Sequence, residues 1–235
     1  TVNNFYISAS YNKTSLTPVT YTPLLRMPQT KAWYAADPNR DTQLLNDARA
    51  ASGAAGFPYT NYVLDLVAFK NIWGGWSGQG YVGSRGSWLQ GTGVSQGTTA
   101  HEIGHNYGLW HANFWDAGTT VIGTGSNVEY GNIYSTMGKS GNFGEFNSNE
   151  RQLLAWLPAA NYHTVTASGT YRVVSLENAT ISGSTKYALK VQKDSDRDYW
   201  FEYHKPYTGG LAAANPWSTN GAIALWDRWA SSANG

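Results

Sequence analysis

The sequence predicts a mixed α/β (α+β) domain followed by a small all-β module, and three observations carry that expectation. An apolar helical period over residues 41–55 precedes the extended run YVLDLVAF at 62–69. A second helix is needed to hold TTAHEIGHNYG, and a third is signalled by Asn147 with Glu150 three places on. After Pro158 the texture changes to short runs rich in β-branched and aromatic residues.

Along the chain, residues 1 to about 36 read as an irregular, strand-bearing lead-in punctuated by Pro18, Pro23 and Pro28. In the first helix Leu44, Leu45, Ala48, Ala51 and Ala55 recur at helical spacing, and Gly56 suits its end. Residues 62–69 are apolar on both faces, which predicts the middle of a sheet. The glycine-rich GGWSGQGYVGSRGSWLQGTG reads as a twisted or bulged edge strand around residues 80–84, then loops. The second helix ends at Gly108. In the third, Leu153, Leu154 and Leu157 follow the cap and Pro158 is the stop. TYRVVSLE, KYALKVQ and DYWFEYHK are the expected strands of the module, with GAIALW close to the chain end. The division predicted is 1–160 and 161–235, and the stop at Gly235 leaves open whether the second part is complete.

Composition narrows the function classes. The chain has 235 residues, 41% of them hydrophobic, enough to bury a sizeable core. Only 13% are charged, about half of the roughly 25% usual in soluble domains, so the surface is built from neutral polar groups. A net charge of +1 with no basic block predicts no nucleic-acid partner and no anionic membrane partner. The absence of cysteine excludes disulfides, thiolate metal sites and a cysteine nucleophile. No apolar run approaches the ~18 residues of a membrane helix. The chain starts at Thr1 with no signal peptide in view, which reads as a processed or trimmed form.

The chemistry is concentrated in HEIGHNYGLWH, residues 101–111. On a helix His101 and His105 stand one turn apart and project from one face, so both imidazoles reach one metal. Glu102 sits one residue on, along the same cleft. Gly108 can take a positive φ, end the helix and turn the chain so that His111 comes back as a third ligand. Three nitrogens leave the fourth zinc position for water, the arrangement of a catalytic site. A helix with chance histidines is the competing explanation. Five specified positions arise by chance on the order of once in ten thousand chains of this length. His163 and His204, beside Tyr162 and Tyr203, read instead as surface or satisfied histidines.

His-Glu-x-x-His-x-x-Gly-x-x-His resembles the metzincin signature. The wider pattern LLRMPQTKAWYAA, HEIGHNYGLWHANFW, EYGNIYSTMG and FNSNERQLLAWLP is similar to the gametolysin-type branch and its bacterial relatives, over about residues 20–160. The resemblance implies a catalytic domain with a twisted mixed sheet, an active-site helix and a Met-turn. It places that turn at Met137, 26 residues past His111. It implies a secreted endopeptidase holding one catalytic Zn2+ on His101, His105 and His111. Metal-activated water hydrolyses the peptide bonds of extracellular proteins, with Glu102 as general base and then acid. Protein or peptide is the expected partner, and a monomer the expected state. Substrate would pair with the edge strand Gly80, Tyr81, Val82 and Gly83; a glycine-rich loop without ligand role is the alternative. Some metzincins carry a tyrosine two places past the methionine; here Lys139 stands there, and Tyr134 reads as a packing residue.

Other signals are weaker. Asp194, Asp196 and Asp198 alternate, yet the EF-hand pattern is missing, so calcium is unsupported and a solvated turn is expected. Asn12 and Asn178 open glycosylation sequons that matter only in a eukaryotic secretory host. Two other function classes stay open: a catalytically inactive binding protein of the same fold, and a carbohydrate- or matrix-binding protein acting through the β module. Eleven tryptophans suit the latter, although packing accounts for them as well. Keeping every ligand and Glu102 speaks against the inactive form.

Overall fold

The computed structural model describes residues 1–120, 123–139, 145–177, 181–195, 197–204 and 221–227. Among them the helices are α1 (Val2–Ala9), α2 (Lys31–Ala35), α3 (Asp41–Ala54), α4 (Gln96–Asn106) and α5 (Ser148–Leu153). The strands are β1 (Leu66–Phe69), β2 (Gly78–Gly80), β3 (Ser87–Gln90), β4 (Phe114–Asp116), β5 (Ser126–Val128), β6 (Tyr162–Val165), β7 (Ala188–Gln192), β8 (Asp198–His204) and β9 (Gly221–Asp227). The content is α+β with small sheets, and the elements fall into two compact units, Thr17–Leu109 and Thr1–Leu16 with Trp110–Gly235.

In the unit Thr17–Leu109, α3 matches the helix expected from its leucine spacing. Its buried Leu44 and Leu45 join Tyr34 of α2 and Trp88 of β3 in one cluster, with Met27, Val67 and Phe69 packed against it. Fully burying each large apolar side chain of this kind contributes ~1.5–3 kcal/mol. Arg49 of α3 holds Asp65 with two hydrogen bonds, 2.8 and 2.9 Å. The sheet order is β1-β3-β2, with β1 parallel and β2 antiparallel to β3.

The central strand is not the one expected. Only the last four residues of the 62–69 run form a strand, it lies at the sheet edge, and Val63 is exposed. The middle strand is β3, all four residues buried. Its polar members are satisfied inside. Ser87 Oγ donates to Asn106 Oδ1 at 2.8 Å. Gln90 donates to the carbonyls of Trp73 and Trp76 and accepts from the backbone of Ile72 and Trp73. A count of apolar residues undervalues a strand whose polar side chains are used up in this way.

In the other unit, residues 1–16 supply the helix α1 where strand was expected. Thr1 caps α1, accepting from Asn4 N at 3.3 Å, and Phe5, Tyr6 and Ala9 turn inward. The Phe5 ring meets Phe146 at 5.3 Å and the Tyr6 ring meets Trp156 at 6.1 Å. No strand forms within residues 1–36. The capping box at Asn147 and Glu150 is present, and α5 ends at Leu153, ahead of Pro158.

The sheet β6-β7-β8-β9 is mixed: β6 pairs with β7 in parallel, and the remaining pairs are antiparallel. TYRVVSLE is irregular rather than extended in a sheet, yet its Leu176 is fully buried. Tyr11, Leu157, Leu176, Tyr187, Ala188 and Trp200 form one cluster, so strands past residue 160 share a core with the chain's first residues. The composition changes at residue 160, but the packing has no seam there. Asn178 and Asp196 lie outside the described residues. Asp194 is taken up by Lys193 and Arg197. No helix among the described residues is long and apolar enough to cross a membrane.

Candidate metal centre

Helix α4 starts at Ser95, whose Oγ accepts from Thr98 N at 3.2 Å, and it is buried through most of its length. Tyr107 ends it, and Gly108 takes φ +104°, which a side chain would strain. Gly108 N donates to His105 O at 2.8 Å and Leu109 N donates to Gly104 O at 3.1 Å. That pair of bonds is a Schellman ending, so the expected glycine turn before His111 is present.

His101 and His105 are buried, and their rings meet edge to face at 4.7 Å. The ligand atoms of His101, His105 and His111 all lie within 4.8 Å of one another. His105 Nδ1 lies 2.8 Å from Leu109 O, and His111 Nδ1 lies 2.7 Å from Glu129 Oε1. A carbonyl and a carboxylate only accept, so in both neutral rings Nδ1 carries the proton and Nε2 keeps its lone pair. Two nitrogens on one zinc stand at most about 4.2 Å apart, twice the bond length, so this group needs only a small adjustment to hold the ion.

Glu102 is 4% exposed, and burial pushes its carboxyl up to about 8. Strand β2 lies directly on it. A Cβ at Gly78 would come 2.4 Å from Glu102 Oε1, and one at Gly80 would come 2.5 Å from the Glu102 carbonyl oxygen. Glycine at 78 and 80 is thus what lets the strand approach the helix so closely. Of the segment Gly80 to Gly83, only Gly80 belongs to β2, which is an edge strand of its sheet. Tyr81 N donates to Gly86 O at 3.0 Å and Gly83 N to His105 O at 2.8 Å, so two of its backbone donors are taken within the chain.

Met137 is fully buried in a tight turn. Gly138 N donates to Ser135 O at 3.0 Å, Met137 N to Ser135 Oγ at 2.9 Å, and Ala112 N to Met137 O at 2.9 Å. The turn is therefore bonded to the residue next to His111. Lys139 is exposed and Tyr134 half-buried. Two residues near His111 escape a reading by motif: Glu129, and Tyr130, whose ring lies 3.9 Å from the His111 ring. Eighteen positions separate Glu129 from His111, and only the β4–β5 hairpin register pairs them.

A family model described as gametolysin peptidase M11 matches residues 1–203. No curated protein and no solved structure matches the chain.

Proposed function

Given that the chain belongs to the gametolysin peptidase M11 family, and so to the metallopeptidases, we propose that it is a secreted zinc endopeptidase that cleaves extracellular proteins. The observation that supports this best is the grouping of three histidine ligand atoms within 4.8 Å, on a segment that also carries Glu102. Three nitrogen donors and no thiolate suit zinc at a catalytic site. In this reading His101, His105 and His111 hold the ion through Nε2. When bound, zinc acidifies water and polarises a peptide carbonyl.

The chain's own residues then have defined work. Glu102 takes a proton from the attacking water at one carboxylate oxygen and delivers it to the departing amine. Gly78 and Gly80 keep β2 against Glu102, which limits where its carboxylate can sit. The edge strand β2, continuing toward Val82, aligns the substrate peptide by strand addition. Met137 supports the His111 segment through Ala112 and does not ligate. All of these residues fall within 1–160.

The test is to incubate the full chain with a denatured protein mixture, with and without chelator, and to sequence the new termini. Cleavage that chelator abolishes and zinc restores supports the reading. No new termini at full zinc occupancy would leave the inactive binding protein as the better account.

A further inference from the structure

His105 gains its fixed tautomer from the carbonyl of Leu109, just past the Gly108 turn that ends its helix. The partner of His111 comes from much further along the chain. The His111 ring is enclosed by the strand ladder that follows. The β4–β5 register pairs Phe114 with Val128, and this pairing returns residues 129 and 130 to the neighbourhood of 111. Glu129 Oε1 lies 2.7 Å from His111 Nδ1, and the Tyr130 ring lies over the imidazole at 3.9 Å and 36°.

Tyr130 itself is held in an uncommon conformation, φ +59°. For a residue with a side chain the left-handed region costs of order 1–3 kcal/mol and persists only where the surroundings impose it. Asn113 imposes it here, its Oδ1 accepting from Tyr130 N at 3.0 Å. Gly131 follows without a Cβ, and one would sit 2.4 Å from the Phe114 Cβ. The backbone is thus bent to set a carboxylate and an aromatic ring against one imidazole.

Glu129 adds little to the fold. Its side chain is 59% exposed, and even as an ion pair so exposed a contact would contribute at most about 1 kcal/mol. The hairpin therefore spends backbone strain on an interaction that stability alone does not reward.

We propose that Glu129 is a positioning residue for His111, fixing the tautomer and the ring plane that present Nε2 to the metal while Tyr130 packs over the ring. The inference rests on the three-histidine metal reading. A carboxylate on Nδ1–H also makes the imidazole a stronger donor, and removal of such partners elsewhere costs metal sites 10–100-fold in affinity as an order of magnitude.

The test uses the full, metal-free chain titrated with Zn2+ against a chromogenic chelator, beside its melting temperature without metal. Glu129→Ala should bind zinc ~10–100-fold more weakly and melt within a few degrees of the unchanged chain. Glu129→Gln keeps an acceptor for Nδ1–H and should recover part of the affinity. With Co2+ in place of Zn2+, Glu129→Ala should shift the visible absorption bands. His111→Ala is the control for the underlying reading. Normal affinity in Glu129→Ala with loss in His111→Ala overturns the positioning role alone. Normal affinity in both overturns the third ligand and the positioning role together. A Glu129→Ala chain that loses affinity only because its metal-free form melts far lower overturns positioning in favour of a structural role.

Discussion

Glu102 has little freedom. Gly78 presses on its carboxylate, Gly80 on its backbone, and its side chain is almost fully buried. If this carboxylate is the proton carrier, Glu102→Gln should fold normally and keep its zinc, yet cleave peptides at least ~10³-fold more slowly. Near-normal turnover in that variant would end the mechanism. Gly78→Ala tests the same group from the other side. The new Cβ would fall 2.4 Å from Oε1 and 2.8 Å from Cγ, so the carboxylate must move. The expected result is a lower kcat with zinc affinity retained, and a stability loss of about 1–3 kcal/mol from overpacking. Unchanged kcat would show that the position of Glu102 does not matter. The three histidines and Glu102 are legible in sequence because covalent spacing on one helix and one glycine turn sets their geometry. Gly78 is not, since its role depends on which strand lies over the helix.

Among the elements, α5 and the Met137 turn are one hydrogen-bonded device. Glu150 Oε1 accepts from Ser135 Oγ at 2.5 Å, Oε2 accepts from Asn147 N at 2.8 Å, and Ser135 Oγ in turn accepts from Met137 N. Burial pushes the Glu150 carboxyl up to about 7 despite the opposing effect of these bonds. Glu150→Ala leaves a buried hydroxyl and a buried N–H without their acceptor, a cost of ~2–4 kcal/mol in urea unfolding. Asn147→Ala removes only the cap, about 1 kcal/mol. A loss in Glu150→Ala no larger than in Asn147→Ala would mean that the link to Ser135 carries nothing. Met137→Leu, close in volume, should keep zinc and cost less than about 1.5 kcal/mol; loss of zinc in an intact fold would count against a packing role. The capping box is legible because its two residues are three apart. Helix α1 is not: its sequence offers only a short apolar pattern, and its position depends on Phe146 and Trp156, which lie far along the chain. The centrality of β3 is hidden for a related reason, since Gln90 and Ser87 look like surface residues until their partners are known.

At the scale of the unit that joins the N-terminal helix to the β6–β9 sheet, the interior holds a charged chain as well as an apolar core. Arg151, 1% exposed, donates to Phe146 O and to Glu145 Oε2, at 2.7 and 3.1 Å. His204 bridges two carboxylates, Nδ1 with Glu177 Oε1 and Nε2 with Glu202 Oε1, the second at 2.8 Å. Glu202 also accepts from Ser148 N at 2.6 Å, tying β8 to the start of α5. Burial alone would lower the His204 pKa, but Glu177 and Glu202 outweigh it and raise it to about 10. Burial alone would raise Glu177, but His204 and Ser175 outweigh it and bring it to about 2. For a base raised from 6.5, the stability contribution is complete below about pH 6.5 and is lost as pH climbs through about 10. For an acid lowered from 4.5, the contribution is complete above about pH 4.5 and is lost as pH falls through about 2. The pair is therefore worth most between about pH 4.5 and 6.5, with an acid and an alkaline arm of decline. Glu150 declines in a lower window, below about 7, and the Glu102 window ends near 8, so the alkaline arm is best read from pH 8 to 10. Glu177→Gln keeps the shape and an acceptor for Nδ1–H but removes the charge, leaving Glu202 as the one carboxylate bonded to His204. It should flatten both arms, reducing the fall between pH 8 and 10 by at least about 1 kcal/mol in denaturant unfolding. Parallel pH profiles for the two proteins would show that the buried histidine does not carry the pH dependence of this unit.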